Sequence, residues 1–338
     1  MSKIFITGGT GFLGSYILRK LVKRGHQVRA LKRSTSRLDL VADVADQVEW
    51  IEGDILDITS LEDGMKGVDI VYHTAAFVGF STKEHARMMK INVEGTANVV
   101  NVAMYRGVKK LGYSSSVAAL GRLPDSRIVT EQTKWENSKI NTQYAISKYL
   151  AEQEVWRGTA EGLPAVMVNP TIIVGAGFWD QTSVKFFRQM DKGMKYYTEG
   201  ETGFVDVRDV AELLIQLVDS DIENQKYITN SENIPYKNYM TMIAEAIGKQ
   251  PPTTLATPLM RQIVWRVEAL RSMITGSRPL ITKETARVAS HKYSYMNDKI
   301  VEALGYEFKP IQETITETAA LFQQSKKDGT NFGIFPLD

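Results

Sequence analysis

Residues Lys3-Ile4-Phe5-Ile6-Thr7-Gly8-Gly9-Thr10-Gly11-Phe12-Leu13-Gly14 decide the fold. An apolar run of strand length ends at Thr7, glycines crowd the next positions, and helical periodicity then begins at once. Phe12, Leu13, Ile17, Leu18, Leu21 and Val22 fall on one side of a helix that Gly25 stops after a basic last turn. Gly8 suits a tight turn, Gly11 lets a pyrophosphate approach the backbone, and Gly14 lets helix and strand pack closely. Phosphate would rest on the free amides of the helix N-terminus, where the dipole favours negative charge. The stretch therefore reads as a dinucleotide site built from Gly8, Gly11, Phe12, Leu13 and Gly14.

Working outward, short apolar runs alternate with helical stretches as far as Leu111. Strands are expected at 3–7, 27–32, 48–53, 69–75 and 109–115, and helices at 12–24, 61–65 and 85–105, the pattern of βαβ units. A helix at 141–161 leads into a strand at 165–170, and further helices come near 183–192, 210–218 and 236–247. The expected fold is α/β: a Rossmann-type doubly wound parallel sheet with a smaller, mostly helical C-terminal substrate lobe. Residues 1–170 would form the dinucleotide-binding domain, with later returns of the chain near 204–230, and residues 171–338 mainly the substrate lobe. The three prolines of 250–258 read as a connector within that lobe.

With 338 residues, 43% hydrophobic, the chain can bury a large core. Its 41 basic and 39 acidic residues leave a net charge of +2, which argues against nucleic acid or an acidic membrane as the main partner. The absence of cysteine excludes disulfides, thiolate metal sites and a catalytic thiol, and four histidines offer little for another metal site, so no metal is expected. The opening residues carry no basic lead followed by an apolar run, so the expected location is cytoplasmic. The most apolar late helix, 259–274, is interrupted by Arg261, Arg266 and Arg271 and should lie on a surface or dock. The apolar tail 331–336 should also dock, against a partner the sequence does not reveal.

Cofactor choice is written at the end of the second strand. An NAD-preferring protein places an acid about 20 residues after the glycines to hold the ribose 2′-hydroxyl. Here Lys32 and Arg33 stand there instead, where they would attract a 2′-phosphate, so NADP(H) is preferred and NAD(H) remains possible. Asp54, with Ile55 beside it, closes the third strand where a side chain can meet the adenine edge. The fourth strand ends in His73-Thr74-Ala75-Ala76, whose small residues, Ala75 among them, let the backbone pass close to a cofactor. His73 itself reads as a packed histidine.

The reactive set comes next. Tyr144 and Lys148 are four residues apart on a helix and share one face. Ser114-Ser115-Ser116 closes the fifth strand, at the edge where open α/β sheets bind ligands. A free tyrosine has a pKa near 10, so acting at neutral pH requires its proton to be easier to lose by about 4 kcal/mol. A nearby ammonium and a positive nicotinamide act in that direction. A serine hydroxyl would hold the substrate oxygen while Tyr144 exchanges its proton.

Assembled, these residues resemble the extended short-chain dehydrogenase/reductase superfamily, also called the NAD-dependent epimerase/dehydratase family. The resemblance runs through the glycine turn, Gly53-Asp54-Ile55-Leu56-Asp57, the His73 strand end, Asn92-Val93-Glu94-Gly95-Thr96, the serine run, Tyr144-Ala145-Ile146-Ser147-Lys148, Asn169-Pro170-Thr171 and residues 204–210. It implies that Ser116 completes a triad, with Ser115 as the fallback, that Tyr144 is the acid/base, and that Lys148 binds the nicotinamide ribose. It further implies that Asn92 supports the site beside the cofactor, although by sequence alone it could equally be a helix-interior residue bonded to backbone, that Pro170 and Thr171 line the nicotinamide face, and that residues 204–210 are similar to a hinge between lobes, in which Asp206 and Arg208 are read as structural first. The end of strand two and residues 280–287 are most similar to the dihydroflavonol reductase-like branch. Residues 77–85 and 117–143 match no substrate pattern.

The favoured function is NADP-dependent reduction of a small-molecule aldehyde or ketone. The alternative is an NAD-dependent nucleotide-sugar epimerase or dehydratase with the same triad, for which Arg261, Arg266, Arg271 and Arg278 could supply a cationic pocket if they were not simply the wet side of helices. A non-catalytic scaffold fits poorly with an intact Tyr and Lys. The family commonly dimerises through helices equivalent to 85–105 and 141–161, so a homodimer is expected.

Overall fold

The computed structural model describes residues 2–79, 81–122, 126–138, 140–275 and 282–337. Seven strands make one parallel sheet: β1 (Lys3–Thr7), β2 (Gln27–Lys32), β3 (Glu49–Glu52), β4 (Ile70–His73), β5 (Lys110–Ser114), β6 (Ala165–Pro170) and β7 (Gln225–Thr229). Their spatial order is β7-β6-β5-β4-β1-β2-β3. The chain thus starts in the middle, fills one edge and then the other, leaving a crevice where β1 and β4 part in sequence order. Thr7 and His73 are register partners at that crevice.

The central strands β1, β4, β5 and β6 are buried nearly throughout, without alternation, because helices cover both faces. Helices α1 (Phe12–Lys23) and α5 (Val207–Asp219) bury Ile17, Leu21, Val210 and Leu214 in one cluster. On the other side α2 (Ile58–Met65), α3 (Gly95–Tyr105) and α4 (Gln143–Ala160) bury Leu61, Met65, Val99, Ala151 and Val155 around Phe5. The helical stretch 85–105 is continuous but not uniform. A π turn at Lys90–Glu94 separates a short α segment from α3 and contains Asn92. Such turns insert one residue into the ladder and re-aim the rest of the helix.

The chain after Thr171 is mostly helical, as expected, and also carries a small sheet that the sequence did not announce. Ile172–Val174, Glu201–Asp206 and Glu232–Pro235 form a three-stranded sheet, its central strand parallel to the first and antiparallel to the last. Phe204 and Val205 are fully buried there, in keeping with the structural reading of this segment. Asp206 ends it and caps α5, accepting from Arg208 N at 2.7 Å and Thr314 Oγ1 at 2.8 Å.

The apolar tail docks on α1. Arg19 Nη1 donates to the Phe335 carbonyl at 2.9 Å, the Phe335 amide donates to Tyr16 Oη at 3.2 Å, and Arg208 lies 3.8 Å over the Phe335 ring. Helix Pro258–Thr275 stays on the surface, with Leu259, Ile263, Val267 and Met273 exposed. Its Arg266 bonds to Gln262 and Arg271 pairs with Glu268, both neighbours on the same helix. The Arg261 side chain, Arg278, Leu280 and Ile281 lie outside the described residues. Among the described residues no helix is long and apolar enough to cross a membrane.

Candidate active site

The glycine turn is held by its own backbone. Gly8 has φ +74, and a side chain there would meet Ala75 N at 2.6 Å. At Gly14 a Cβ would stand 2.1 Å from the Gly8 carbonyl oxygen and 2.6 Å from Thr74 Oγ1, so only glycine lets α1 approach β1 and β4 this closely. Gly11 is exposed and caps α1 without a side-chain bond, and the first turn contains no acid. The amides at that end are open to an anion. Phe12 is partly buried and stacks edge-on against Tyr16, while Leu13 is buried and fixes the turn from below.

At the end of β2, Arg33 is exposed, and its guanidinium makes no hydrogen bond or ion pair with any described residue. Lys32 is half-buried and shares Glu52 at 3.9 Å. Asp54 is an Asx turn residue, Oδ1 accepting from Leu56 N at 3.0 Å, and its second oxygen is left for another partner. The Ile55 side chain is buried against Gly95, so what it can offer a ligand is main chain.

Burial and hydrogen bonding separate the adjacent serines. Ser115 is buried and donates to Glu152 Oε2 at 2.6 Å. Ser116 bonds to Tyr144, and that contact opposes the burial that pushes the phenol's pKa up. By geometry it is Ser116 that meets Tyr144, while the Ser115 hydroxyl is committed to Glu152. Lys148 is 2% exposed, with Nζ donating to Tyr113 Oη at 3.0 Å and to the Ser114 carbonyl at 2.9 Å. Burial pushes its ammonium down to about 8, and the Glu152 carboxylate acts against that shift. Ser116, Tyr144 and Lys148 thus meet beside the ends of β4 and β5. Pro170 and Thr171 are buried at the end of β6, with Thr171 Oγ1 donating to the Thr229 carbonyl at 3.2 Å.

The support around His73 and Asn92 is polar and hydrogen-bonded. Thr96 Oγ1 donates to the Asn92 carbonyl at 2.6 Å, so it accepts from His73 Nε2 at 2.9 Å, and His73 Nδ1 accepts from Thr7 Oγ1 at 2.6 Å. Both ring nitrogens are used and the ring is fully buried, which pushes its pKa down to about 3. His73 is accordingly a neutral structural clamp. Asn92 grips the loop after β4: Oδ1 accepts from Phe77 N at 2.7 Å, and Nδ2 donates to the Phe77 carbonyl at 2.9 Å and to Ser147 Oγ at 3.0 Å. It acts through that loop and through α4. Sequence reasoning missed Glu152 and gave Asn169 and Tyr113 no role; the spacing of Glu152, one turn beyond Lys148, is the signal that could have exposed it.

From the C-terminal part of the chain, Glu284 Oε1 accepts from Gln143 N at 3.4 Å and Arg287 Nη2 donates to the Ile140 carbonyl at 3.2 Å. The segment beginning at Thr282 therefore reaches the N-terminus of the helix that carries Tyr144.

The sequence profile of the NAD dependent epimerase/dehydratase family matches residues 4–229. The chain is 30% identical over 328 residues to a putative dihydroflavonol 4-reductase of Synechocystis sp., covering 94% of each chain. It is 26% identical over 338 residues to cinnamoyl-CoA reductase 1 of Petunia hybrida, covering 95% of this chain and 92% of that one. The crystal structure of gox2253 is similar with a TM-score of 0.81 at 33% identity, covering 96% of this chain and 98% of the other.

Proposed function

Since the chain belongs to the NAD-dependent epimerase/dehydratase family, whose members of this type are NAD(P)-dependent enzymes, we propose that it is an NADP-dependent reductase of small-molecule aldehydes or ketones. The observation that carries this reading is the end of β2, where Arg33 is exposed, its guanidinium has no partner among the described residues, and no carboxylate occupies the position that would hold a 2′-hydroxyl. The names of two relatives, a dihydroflavonol 4-reductase and a cinnamoyl-CoA reductase, support reduction as the chemistry.

The open amides after Gly11 fit a pyrophosphate, Arg33 and Lys32 fit a 2′-phosphate, and Lys148 fits the nicotinamide ribose. When bound, the nicotinamide supplies the hydride. The chain supplies the rest. Ser116 Oγ and Tyr144 Oη bracket the carbonyl oxygen of the substrate and stabilise the negative charge that develops on it. Burial keeps Tyr144 protonated in the protein alone, the state a proton donor needs, and Lys148 places a positive charge on the same helix face.

The test is nucleotide content and affinity. The protein should purify empty and bind NADPH at least about tenfold more tightly than NADH, a difference of about 1.4 kcal/mol. Arg33→Ala should abolish that preference by weakening NADPH alone. Protein that purifies loaded with NAD, or a variant that weakens both nucleotides equally, would overturn the reading in favour of an epimerase or dehydratase.

The same reading includes a homodimer through α3 and α4, where Tyr105 is 73% and Leu150 36% exposed. Light scattering should return twice the chain mass; a monomer at micromolar concentration removes the dimer.

A further inference from the structure

Glu152 lies one helical turn beyond Lys148, on the face of α4 that carries Tyr144. It is 1% exposed, and a carboxylate so buried is costly unless its partners are complete. Here both oxygens are engaged. Oε2 accepts from Ser115 Oγ at 2.6 Å and from Asn169 Nδ2 at 2.8 Å, and Oε1 accepts from Lys226 Nζ at 3.0 Å. Asn169 is fully buried, and the same amide nitrogen donates to the Ser116 carbonyl at 3.0 Å. One carboxylate therefore ties α4, the turn after β5, and strands β6 and β7 together where Tyr144, Lys148 and Ser116 meet. An apolar side chain could fill the space, but it could neither orient the Ser115 hydroxyl nor set a charge beside Lys148.

We propose that Glu152 is a positioning residue of the site: its carboxylate fixes the Ser115-Ser116 turn against α4 and supplies the negative charge that faces the Lys148 ammonium. This rests on the reading of Tyr144 and Lys148 given above.

The groups that face Lys148 can be named element by element. Tyr144 and Glu152 share its helix, Tyr113 on β5 accepts from its Nζ, and His73 on β4 is coupled to it through space. Lys90 and Glu94 of the neighbouring π turn are exposed. Burial holds His73 neutral and pushes the Tyr113 and Tyr144 phenols up, so Glu152 is the anion of this set. Lys226 on β7 is the cation that shares it. Burial pushes Lys148 down and Glu152 opposes that push, which is the sign the geometry requires.

The experiment reads the Lys148 titration directly, in the protein without cofactor. Lysines are labelled with 13C at Cε, the Lys148 resonance is assigned with Lys148→Met, and its midpoint is followed by NMR. The midpoint should lie near 8 in the unsubstituted protein. In Glu152→Gln it should fall by about one pH unit. In Ser115→Ala, which removes a donor and no charge, it should stay in place while kcat drops about tenfold or more through the loosened Ser116. A folded Glu152→Gln protein with an unmoved midpoint overturns the charge assignment, and an unchanged kcat in Ser115→Ala overturns the positioning of Ser116. If Glu152→Gln does not fold, Lys226→Gln decides: releasing the carboxylate from its second cation should raise the midpoint, and no change overturns the proposal. Tyr144→Phe tests the catalytic reading separately, because the Lys148 titration reports on Glu152 whether or not Tyr144 moves a proton.

Discussion

Tyr144→Phe should lower kcat by about 10²- to 10⁴-fold, the range a positioned general acid contributes, while the affinity for NADPH stays within about twofold. The phenol oxygen is the group lost; its described partner is Ser116, and the ring that remains keeps the packing of α4. Lys148 reaches its own anchors, Tyr113 Oη and the Ser114 carbonyl, without passing through Tyr144, so the nucleotide side of the site is left standing. Steady-state turnover with NADPH and a panel of aldehydes and ketones, alongside a fluorescence titration of NADPH, separates the two effects. Full turnover in the variant would remove Tyr144 from the chemistry, and loss of binding and turnover together would assign it a structural role instead.

Acid should weaken the fold through His73. Its pKa is near 6.5 in an unfolded chain and about 3 when the ring is buried neutral between Thr7 and Thr96. Between those values the unfolded chain holds a proton that the folded one lacks. The stabilisation is therefore fully present above about pH 6.5 and is lost as pH falls toward 3, at about 1.4 kcal/mol per pH unit. The full span corresponds to an upper limit of about 5 kcal/mol. Asp209, raised to about 6 chiefly by burial, has the opposite sign: its contribution is present at low pH and is lost as pH rises through 6. A comparison with His73→Gln isolates the histidine. Urea unfolding at pH 7 and pH 5 should show the unsubstituted protein losing about 2 kcal/mol more than the variant over that interval. Equal losses would mean that His73 is not held neutral.

The sheet was legible because its grammar is local. Strand, glycine turn and amphipathic helix succeed one another in a few residues, and the same alternation repeats to β5. Tyr144 and Lys148 were legible because a spacing of four on a helix fixes a shared face. The choice between Ser115 and Ser116 was not, since two neighbouring hydroxyls carry the same chemistry. What separates them is extended backbone, with Ser116 at φ −166 and ψ 152: successive side chains there point opposite ways, one to Glu152 and the other to Tyr144. Glu152 was not singled out from the sequence, because its partners Asn169 and Lys226 arrive from distant strands. The three-stranded sheet after Thr171 was missed for a similar reason, because its short strands are brought together only by tertiary packing.

The docked tail also bears on how the molecule is completed during synthesis. Phe335, which caps the Tyr16 side of α1, is made 319 residues after Tyr16. A nascent chain that has already released all seven strands of the main sheet still lacks the ring between Tyr16 and Arg208 and the carbonyl that receives Arg19. Helix α1, made well before the strands that follow it, is thus among the last elements to be fully covered. Contacts of such long sequence separation close late, after the entropy of the intervening loop has been lost to other structure. Helix α1 and the docked segment around Phe335 are therefore completed together, late in folding.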